Sequence, residues 1–176
     1  KLAENLKNVV YLDKDTLIPL SKKIFEAANE EYNRSSDFFN RVIRDVEYEV
    51  VLDLAFEALE YADMVLINAP FTREIRDKKF MDSMKAKLAE INAELCVVWV
   101  VTDPEVCHQR MIARGSDRDT WKLENWDEYI SGVNFEIPEL LKDPTQKNSL
   151  LLFNNSSEEE FNESMKRIVA QLQEAE

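Results

Sequence analysis

The stretch VVWVVTDPE, residues 97–105, decides the fold class of this chain. Its first five residues are apolar and are followed by turn formers, a pattern that predicts a short strand buried on both faces. A helix is predicted to begin directly afterwards. Thr102 with Glu105 has the spacing of a capping box, and Asp103 with Pro104 is an equally good N-cap and first-turn pair. Either choice places a helix at the carboxyl end of a buried strand.

Three arginines continue this pattern at a spacing of four residues: Arg110, Arg114 and Arg118. On a helix, this spacing stacks guanidinium groups along one face, where they repel one another unless an anion lies among them. Phosphate is the anion that we expect. The alternative is a solvated surface on which the arginines pair with acidic neighbours, namely Glu105, Asp117 and Asp119. Gly115 is predicted to end the helix as its C′ residue, which places Arg118 on the loop beyond it.

The rest of the chain alternates short apolar runs with amphipathic segments. Strands are predicted at residues 9–12, 64–67, 96–101 and 150–153, and helices at about 77–92 and from Ser156 or Ser157 onward. Between the first two strands, apolar residues keep a three-to-four spacing: Phe39, Val42, Ile43, Val46, Val50, Leu54, Ala58 and Leu59. We predict a single α/β domain over residues 1–176, with a parallel sheet covered by helices on both faces. The first two strands should be neighbours, and the last two should pair on the other side of a central position.

Composition limits the possible partners. The chain has 176 residues, of which 45% are hydrophobic, so it can bury a proper core. Its formal charge of −13 argues against nucleic acid or an anionic membrane as the main partner, because both need a broad basic surface. No apolar run reaches the length of roughly 20 residues that spans a bilayer. Cys96 and Cys107 suit small core positions in a reducing compartment, so we expect a cytoplasmic protein.

Polar residues follow every predicted strand. In parallel sheets, ligands bind beyond the carboxyl ends of the strands, so these residues should be considered together. They are Asp13, Lys14 and Asp15 after the first strand, Asn68 to Thr72 after the second, Thr102 and Asp103 after the third, and Asn154 and Asn155 after the fourth. A carboxylate pair and an arginine-bearing loop on one rim suit phosphoryl transfer, in which a carboxylate accepts the proton of the attacking hydroxyl.

The same residues carry a family resemblance. The segment from Val10 to Leu17, the strand that ends in Asn68-Ala69-Pro70-Phe71, and the helix from Cys107 through Arg114 to Asp119 resemble successive parts of a P-loop kinase. The resemblance is to the small-molecule group that includes zeta-toxin-like, chloramphenicol phosphotransferase-like and gluconate-kinase-like proteins. It covers most of the chain and implies a three-layer P-loop NTPase-like fold, with a lid at about residues 110–130.

The resemblance also implies roles for individual residues. Asp15 would be the catalytic base or a substrate ligand, and Asp13 beside it would bind the substrate or Mg²⁺. The arginines of the lid would clamp the phosphates of ATP, with Arg110 and Arg114 binding the nucleotide and Arg114 and Arg118 assisting catalysis. The adenine would lie near the loop that contains Asn154 and Asn155. The remaining residues expected to bind the substrate are Lys14, Arg41, Arg44 and Phe71.

The chain departs from the family pattern at the phosphate loop. No GxxxxGK[ST] motif occurs, and glycine is present only at positions 115 and 132. The first six residues resemble the end of the helix that follows this loop, so we expect roughly 15 to 20 further residues upstream, carrying a strand and the Walker A loop. Where many relatives carry an acidic Walker B residue, this chain has Asn68.

These observations predict an ATP-dependent phosphotransferase that acts on a hydroxyl of a small molecule with Mg²⁺. Two alternatives are a non-catalytic nucleotide-binding or interaction domain and a nucleotide-hydrolysing regulator. Other residues fit packing roles better than catalysis: His108 on its helix and the aromatic residues Trp121, Trp126 and Tyr129. For Arg34, Arg41 and Arg44, a solvated salt-bridge face with Glu30, Asp37, Asp45 and Glu47 is the safer interpretation, although an anionic substrate could also bind there.

Overall fold

The structure, a computed structural model, describes residues 1–116, 119–142, 146 and 148–173. The chain forms two compact units, which we call unit 1, Lys1–Pro70, and unit 2, from Phe71 onward. Arg118 lies outside the described residues. Each unit combines α-helices with a pair of parallel strands, so the predicted α/β class is confirmed. None of the described helices is both long enough and apolar enough to cross a membrane.

Unit 1 is built around strands β1 and β2. Its elements in chain order are β1 (Val9–Asp13), a 3₁₀ turn (Lys14–Leu17), α1 (Ile18–Ala27), a π-helical turn (Phe39–Ile43), α2 (Arg44–Ala58) and β2 (Met64–Asn68). The two strands are parallel and in the register that sets Asp13 opposite Asn68. Both strands and their pairing follow the sequence prediction. The register brings the polar ends of the two strands together.

The buried face of α2 differs from the predicted apolar stripe. The helix buries Glu47, Tyr48, Val51 and Ala55, whereas Val42, Val46, Val50 and Leu54 are 37–53% exposed. The face of α2 that packs against the strands and α1 is therefore rotated away from the face on which the sequence has its regular apolar spacing. The covered row contains the charged residues Arg44 and Glu47, so the apolar spacing did not reveal it, and the tertiary contacts decide which row is covered.

Unit 2 contains the second strand pair and most of the helices. Its main elements are α3 (Lys78–Glu90), β3 (Val97–Val101), α4 (Pro104–Arg114), α5 (Thr120–Glu124), α6 (Trp126–Ser131), β4 (Leu150–Asn154) and α7 (Glu158–Gln173). Short 3₁₀ turns span Glu74–Arg76 and Glu139–Leu141. β3 and β4 are parallel, with Val101 opposite Asn154, as predicted. A core cluster of Ile75, Met81 and Leu141 packs against β3.

The prediction that the strand at 97–101 is buried on both faces is wrong for the described structure. Val97, Val98 and Trp99 are half-buried, but Val100 and Val101 are 58% and 39% exposed. Within the described residues, β3 has a single hydrogen-bonded neighbour, β4. A strand with one neighbour in a two-stranded sheet does not receive the double cover of an inner strand in a larger parallel sheet.

The ends of α4 follow local chemistry. Of the two predicted N-caps, the structure has Asp103. Its Oδ1 accepts hydrogen bonds from the main-chain N–H groups of Glu105 and Val106 at 2.9 and 3.3 Å. Pro104 occupies the first helical position. Gly115 ends the helix at φ 57°, the left-handed conformation that glycine adopts without steric cost.

Candidate functional site

Asp13 organises the carboxyl ends of the strands in unit 1. Its Oδ1 accepts a hydrogen bond from the main-chain N–H of Asp15 at 2.9 Å, which caps the 3₁₀ turn. Its Oδ2 accepts from the Tyr11 hydroxyl at 3.0 Å and from the Asn68 amide at 3.2 Å. The last contact follows from the strand register. We call Asp13, Asp15 and Asn68 the unit 1 rim.

The electrostatic character of the unit 1 rim is negative. The pKa of Tyr11 is raised, first by burial and then by its hydrogen bond to Asp13 and the charge of that carboxylate, so its hydroxyl remains a donor. Asp15 lies two residues beyond the end of β1 and is half-buried. The structure thus brings Asp13, Asp15 and Asn68 together, as the sequence predicted for two adjacent parallel strands.

A buried charge cluster lies behind this rim. Glu47 accepts hydrogen bonds from the Lys14 Nζ at 2.8 Å, from both terminal nitrogens of Arg34 at 2.8 and 2.7 Å, and from the Ser21 hydroxyl. The Glu47 and Lys14 side chains are only 4% and 6% exposed, and that of Arg34 is 18% exposed. We call these four residues the Glu47 cluster.

Glu47 remains ionised in this cluster. Burial by itself raises the pKa of Glu47, but hydrogen bonds from Arg34, Lys14 and Ser21 and the charge of Arg34 outweigh it and hold the value at about 2. Burial acts to lower the pKa of Arg34, while its hydrogen bonds to Glu47 and the charges of Glu47 and Asp15 raise it overall. The carboxylate and the guanidinium thus stabilise each other's charged forms.

The expected solvated salt-bridge face is therefore wrong for Glu47 and Arg34, which form a buried ion pair. The sequence analysis assigned Glu47 to the solvated face because a glutamate on an amphipathic helix with other acidic residues nearby has the pattern of a surface residue. A signal was present, since Glu47 lies four residues after Ile43 and four before Val51, and both are buried. The sequence analysis grouped Arg34 with Glu47, but on a solvated face, and nothing in the sequence identifies Lys14 and Ser21 as partners of Glu47.

The predicted substrate-binding residues of unit 1 lie in different environments. Lys14 is buried in the Glu47 cluster. Arg44 is also buried, with its guanidinium over the Tyr48 ring at 4.5 Å and Nη1 at 2.7 Å from an oxygen of Asp45. Arg41 is exposed. Their roles in substrate binding stay predictions.

In unit 2, Arg110 joins α4 to the loop after β4. Its Nη1 donates to the main-chain carbonyl of Asn155 at 2.6 Å, and the Asn155 N–H donates to the carbonyl of Val101 at 2.8 Å. The Asn154 N–H donates to the Ser164 hydroxyl at 2.9 Å. Arg110, Asn154 and Asn155, the residues predicted to bind the nucleotide, are therefore brought to the carboxyl end of one strand pair.

Arg114 pairs with an acidic residue. Its Nε lies 3.0 Å from Oδ2 of Asp119, and Nη2 contacts the same oxygen. The Asp119 side chain is 2% exposed, whereas that of Arg114 is 46% exposed. The alternative in which acidic neighbours pair with the arginines therefore holds for Arg114, although much of its guanidinium still faces solvent.

His108, Trp126 and Tyr129 pack together as the sequence suggested, whereas the packing prediction is wrong for Trp121, which is 48% exposed. His108 stacks on Trp126 with ring centroids 4.0 Å apart, and Tyr129 lies 5.6 Å from Trp126. Phe71, predicted to bind the substrate, packs against the core cluster around Ile75 and has a φ of 48°, which is uncommon outside glycine and asparagine. A substrate contact for Phe71 stays a prediction.

The oxygen donors of the unit 1 rim are compatible with Mg²⁺. The Asp13 carboxylate and the Asn68 side-chain carbonyl are the hard oxygen ligands that this ion takes, usually with only one or two protein carboxylates beside water and phosphate. Within the described parts of the chain, no group of three or more His, Cys, Asp and Glu side chains is placed to hold a metal. Mg²⁺ binding at the rim stays a prediction.

The cysteines do not form a disulfide. Cys96 and Cys107 are both free and half-buried. Burial raises the pKa of Cys96 to about 11, and Cys107 Sγ lies 3.9 Å from the Met111 sulfur. Their environments fit packing roles.

Comparisons with known proteins identify no relative. No protein-family model matches the chain, and neither the curated proteins nor the solved structures give a significant match. The site therefore has to be interpreted from its own residues.

Proposed function

We propose that this chain is a phosphotransferase domain that moves the γ-phosphate of ATP to a hydroxyl group of a small molecule with Mg²⁺. The observation that carries the proposal is the pair of parallel registers. One sets Asp13 against Asn68, and the other sets Val101 against Asn154 at the end of the strand that precedes α4. Ligands of open α/β sheets bind at such carboxyl ends.

The chemistry assigned to unit 1 is proton transfer. Asp15 would accept the proton of the attacking hydroxyl, because a carboxylate within hydrogen-bond reach is a suitable base for this step. Asp13 and Asn68 would hold the Mg²⁺ ion, which supplies positive charge against the phosphate oxygens when it is bound. Support comes from Asp13 and Asn68, whose side chains meet at the strand ends, and from Asp15, whose main-chain N–H donates to Asp13.

The chemistry assigned to unit 2 is binding of the nucleotide phosphates. Arg110 and Arg114 supply positive charge, and Arg118 would act from the loop that follows. The exposed part of the Arg114 guanidinium and the position of Arg110 beside Asn155 support this assignment. The full proposal includes the three-layer P-loop NTPase-like fold, with helices on both faces of one sheet, and a cytoplasmic location.

The second candidate is a non-catalytic nucleotide-binding or interaction domain. The observation in its favour is that Arg110 and Arg114 already have protein partners, the Asn155 carbonyl and the Asp119 carboxylate. An arginine whose guanidinium already binds a protein carbonyl or carboxylate can be present for stability alone, without a phosphate ligand. Asn68 in place of an acidic residue also favours this candidate, because an amide holds Mg²⁺ less well than a carboxylate.

Phosphate transfer from labelled ATP decides between the two. The full-length protein is incubated with Mg²⁺, γ-labelled ATP and separate hydroxyl acceptors: a sugar, a nucleoside and an aminoglycoside. We expect labelled product with one class of acceptor and its loss in Asp15→Asn. Label released only as inorganic phosphate would favour a hydrolysing regulator. Binding of ATP without release or transfer would favour the non-catalytic candidate.

A further inference from the structure

Three consecutive charged residues span the end of β1 and the start of the turn that follows it, and the middle one is directed inward. Lys14 is buried, whereas Asp13 and Asp15 on either side of it are half-buried. In a 3₁₀ turn, successive side chains point about 120° apart, so the direction of one side chain fixes those of its neighbours. The inward position of Lys14 thereby sets the direction of Asp15, the next residue of the turn, while Asp13 precedes the turn in an extended conformation and caps it.

Glu47 is the group that holds Lys14 inward. Its Oε2 lies 2.8 Å from the Lys14 Nζ, and the same carboxylate binds Arg34 at 2.7 and 2.8 Å and Ser21 of α1. The contacts come from separate segments: the turn after β1, helix α1 and the segment before α2. A single carboxylate on α2 therefore ties together the elements around the end of β1.

The charges of the Glu47 cluster indicate what the removal of the Glu47 carboxylate would do. Without the Glu47 charge, Lys14 and Arg34 would be two cations in a largely buried site, which is costly until they find another anion. Asp13 and Asp15 flank Lys14 in the chain, and the charge of Asp15 already acts on Arg34. The two cations would therefore be drawn to the unit 1 rim.

We propose that Glu47 is a positioning residue: by holding Lys14 and Arg34, it fixes the turn after β1 in the conformation that Asp13 caps, and so sets the positions of Asp13 and Asp15. The catalytic consequence rests on the proposed function, in which Asp15 accepts the proton of the acceptor hydroxyl. The effect on the turn itself is independent of that function.

The test compares Glu47→Gln with Glu26→Gln in the full-length protein. Both changes remove one negative charge and keep the side-chain shape, but Glu26 is 69% exposed in its pair with Lys23. Amide hydrogen exchange reports the turn, because the Asp15 N–H donates to Asp13. In Glu47→Gln, we expect exchange at Asp15 to be about tenfold faster while the amides of β2 stay protected. Glu26→Gln should match the wild type.

Steady-state kinetics separate positioning from general stability. In Glu47→Gln, kcat should fall about tenfold, with the KM for ATP within about twofold of wild type. The reason is that Asp15, the group whose position changes, acts on the reacting hydroxyl and not on the nucleotide. Unchanged exchange at Asp15 would overturn the proposal, and faster exchange with an unchanged kcat would leave Glu47 a structural residue and also overturn it.

A second variant covers the case in which Glu47→Gln does not fold. Lys14→Met removes the inward cation and leaves Glu47 paired with Arg34, so no buried charge is left without a partner. The same faster exchange at Asp15 and lower kcat are expected, and wild-type values for both would overturn the proposal. If the wild-type protein transfers no phosphate, the proposed function fails, and the exchange measurements alone decide whether Glu47 holds the turn.

Discussion

In unit 1, the polar residues around the end of β1 are held by buried side-chain charges, whereas in unit 2 those beyond β3 and β4 are held by main-chain hydrogen bonds and helix caps. Glu47 is 4% exposed and binds three side chains from distant parts of the chain. Arg110 binds a main-chain carbonyl, and Asp103 caps its own helix.

The difference indicates where each unit is sensitive to substitution. Removing one partner of a buried ion pair leaves an uncompensated charge, which costs far more than an exposed pair. Main-chain contacts survive most side-chain changes. We therefore expect charge changes at Glu47 to damage the fold of unit 1. In unit 2, loss of Arg110 should affect mainly ligand binding, whereas loss of Arg114 should also leave the buried Asp119 carboxylate unpaired.

The largest expected effect is on stability in unit 1. Glu47→Ala should lower the free energy of unfolding by about 3–5 kcal/mol, because Lys14 and Arg34 lose their buried counter-ion. Glu26→Ala, at an exposed pair, should cost less than about 1 kcal/mol. Urea unfolding followed by circular dichroism measures both. Equal losses in the two variants would show that burial of the Glu47 cluster has no energetic consequence.

The next effect is on turnover. Asp15→Asn should lower kcat by about 10²-fold and leave ATP affinity nearly intact, because the base acts only in the chemical step. Asp103→Asn is the matched control in unit 2, since asparagine caps a helix as well as aspartate does. Its kcat should stay within about twofold of wild type. A similar fall of kcat and affinity in Asp15→Asn would instead indicate a structural role.

Acid should weaken unit 1 in a defined direction. The pKa of Glu47 is about 2 in the fold and about 4.5 in the unfolded chain, so the unfolded state binds a proton first as pH falls. The stabilisation by Glu47 is complete above pH 4.5 and is lost as pH falls from there through 2. Melting temperatures measured from pH 7 to pH 2 should show a smaller fall for Glu47→Gln than for wild type. Parallel curves would contradict the depressed pKa.

The smallest expected effects concern the arginines of unit 2. Arg110→Ala should raise the KM for ATP, and Arg118→Ala should mainly lower kcat, each by about tenfold, since Arg118 is expected to act only when its loop closes. Calorimetric titration of ATP at low and high salt tests the site directly, because screening weakens an exposed anion site. Equal affinities for wild type and the triple Arg→Ala variant would show that these arginines do not bind the nucleotide.

The sequence by itself determined the strands, their parallel pairing and the ends of α4. The strands and the ends of α4 depend on signals within a few residues, such as the apolar run at 97–101, the Asp103-Pro104 start and the glycine at 115. The parallel pairing follows from the alternation of strands with helices along the chain. It also determined that polar residues would meet at the strand ends, because the carboxyl ends of adjacent parallel strands lie at the same edge.

Only the tertiary structure decided which charges are buried. Glu47 meets Lys14 across 33 residues and Ser21 across 26, and Arg114 meets Asp119 around the end of its helix. A charged residue on an amphipathic helix has the same local pattern whether it faces solvent or a buried counter-ion. Its environment depends on which row of the helix is covered, as α2 shows by burying Glu47 and exposing Val46. The packing of distant segments sets that choice, and neither periodicity nor capping chemistry contains it.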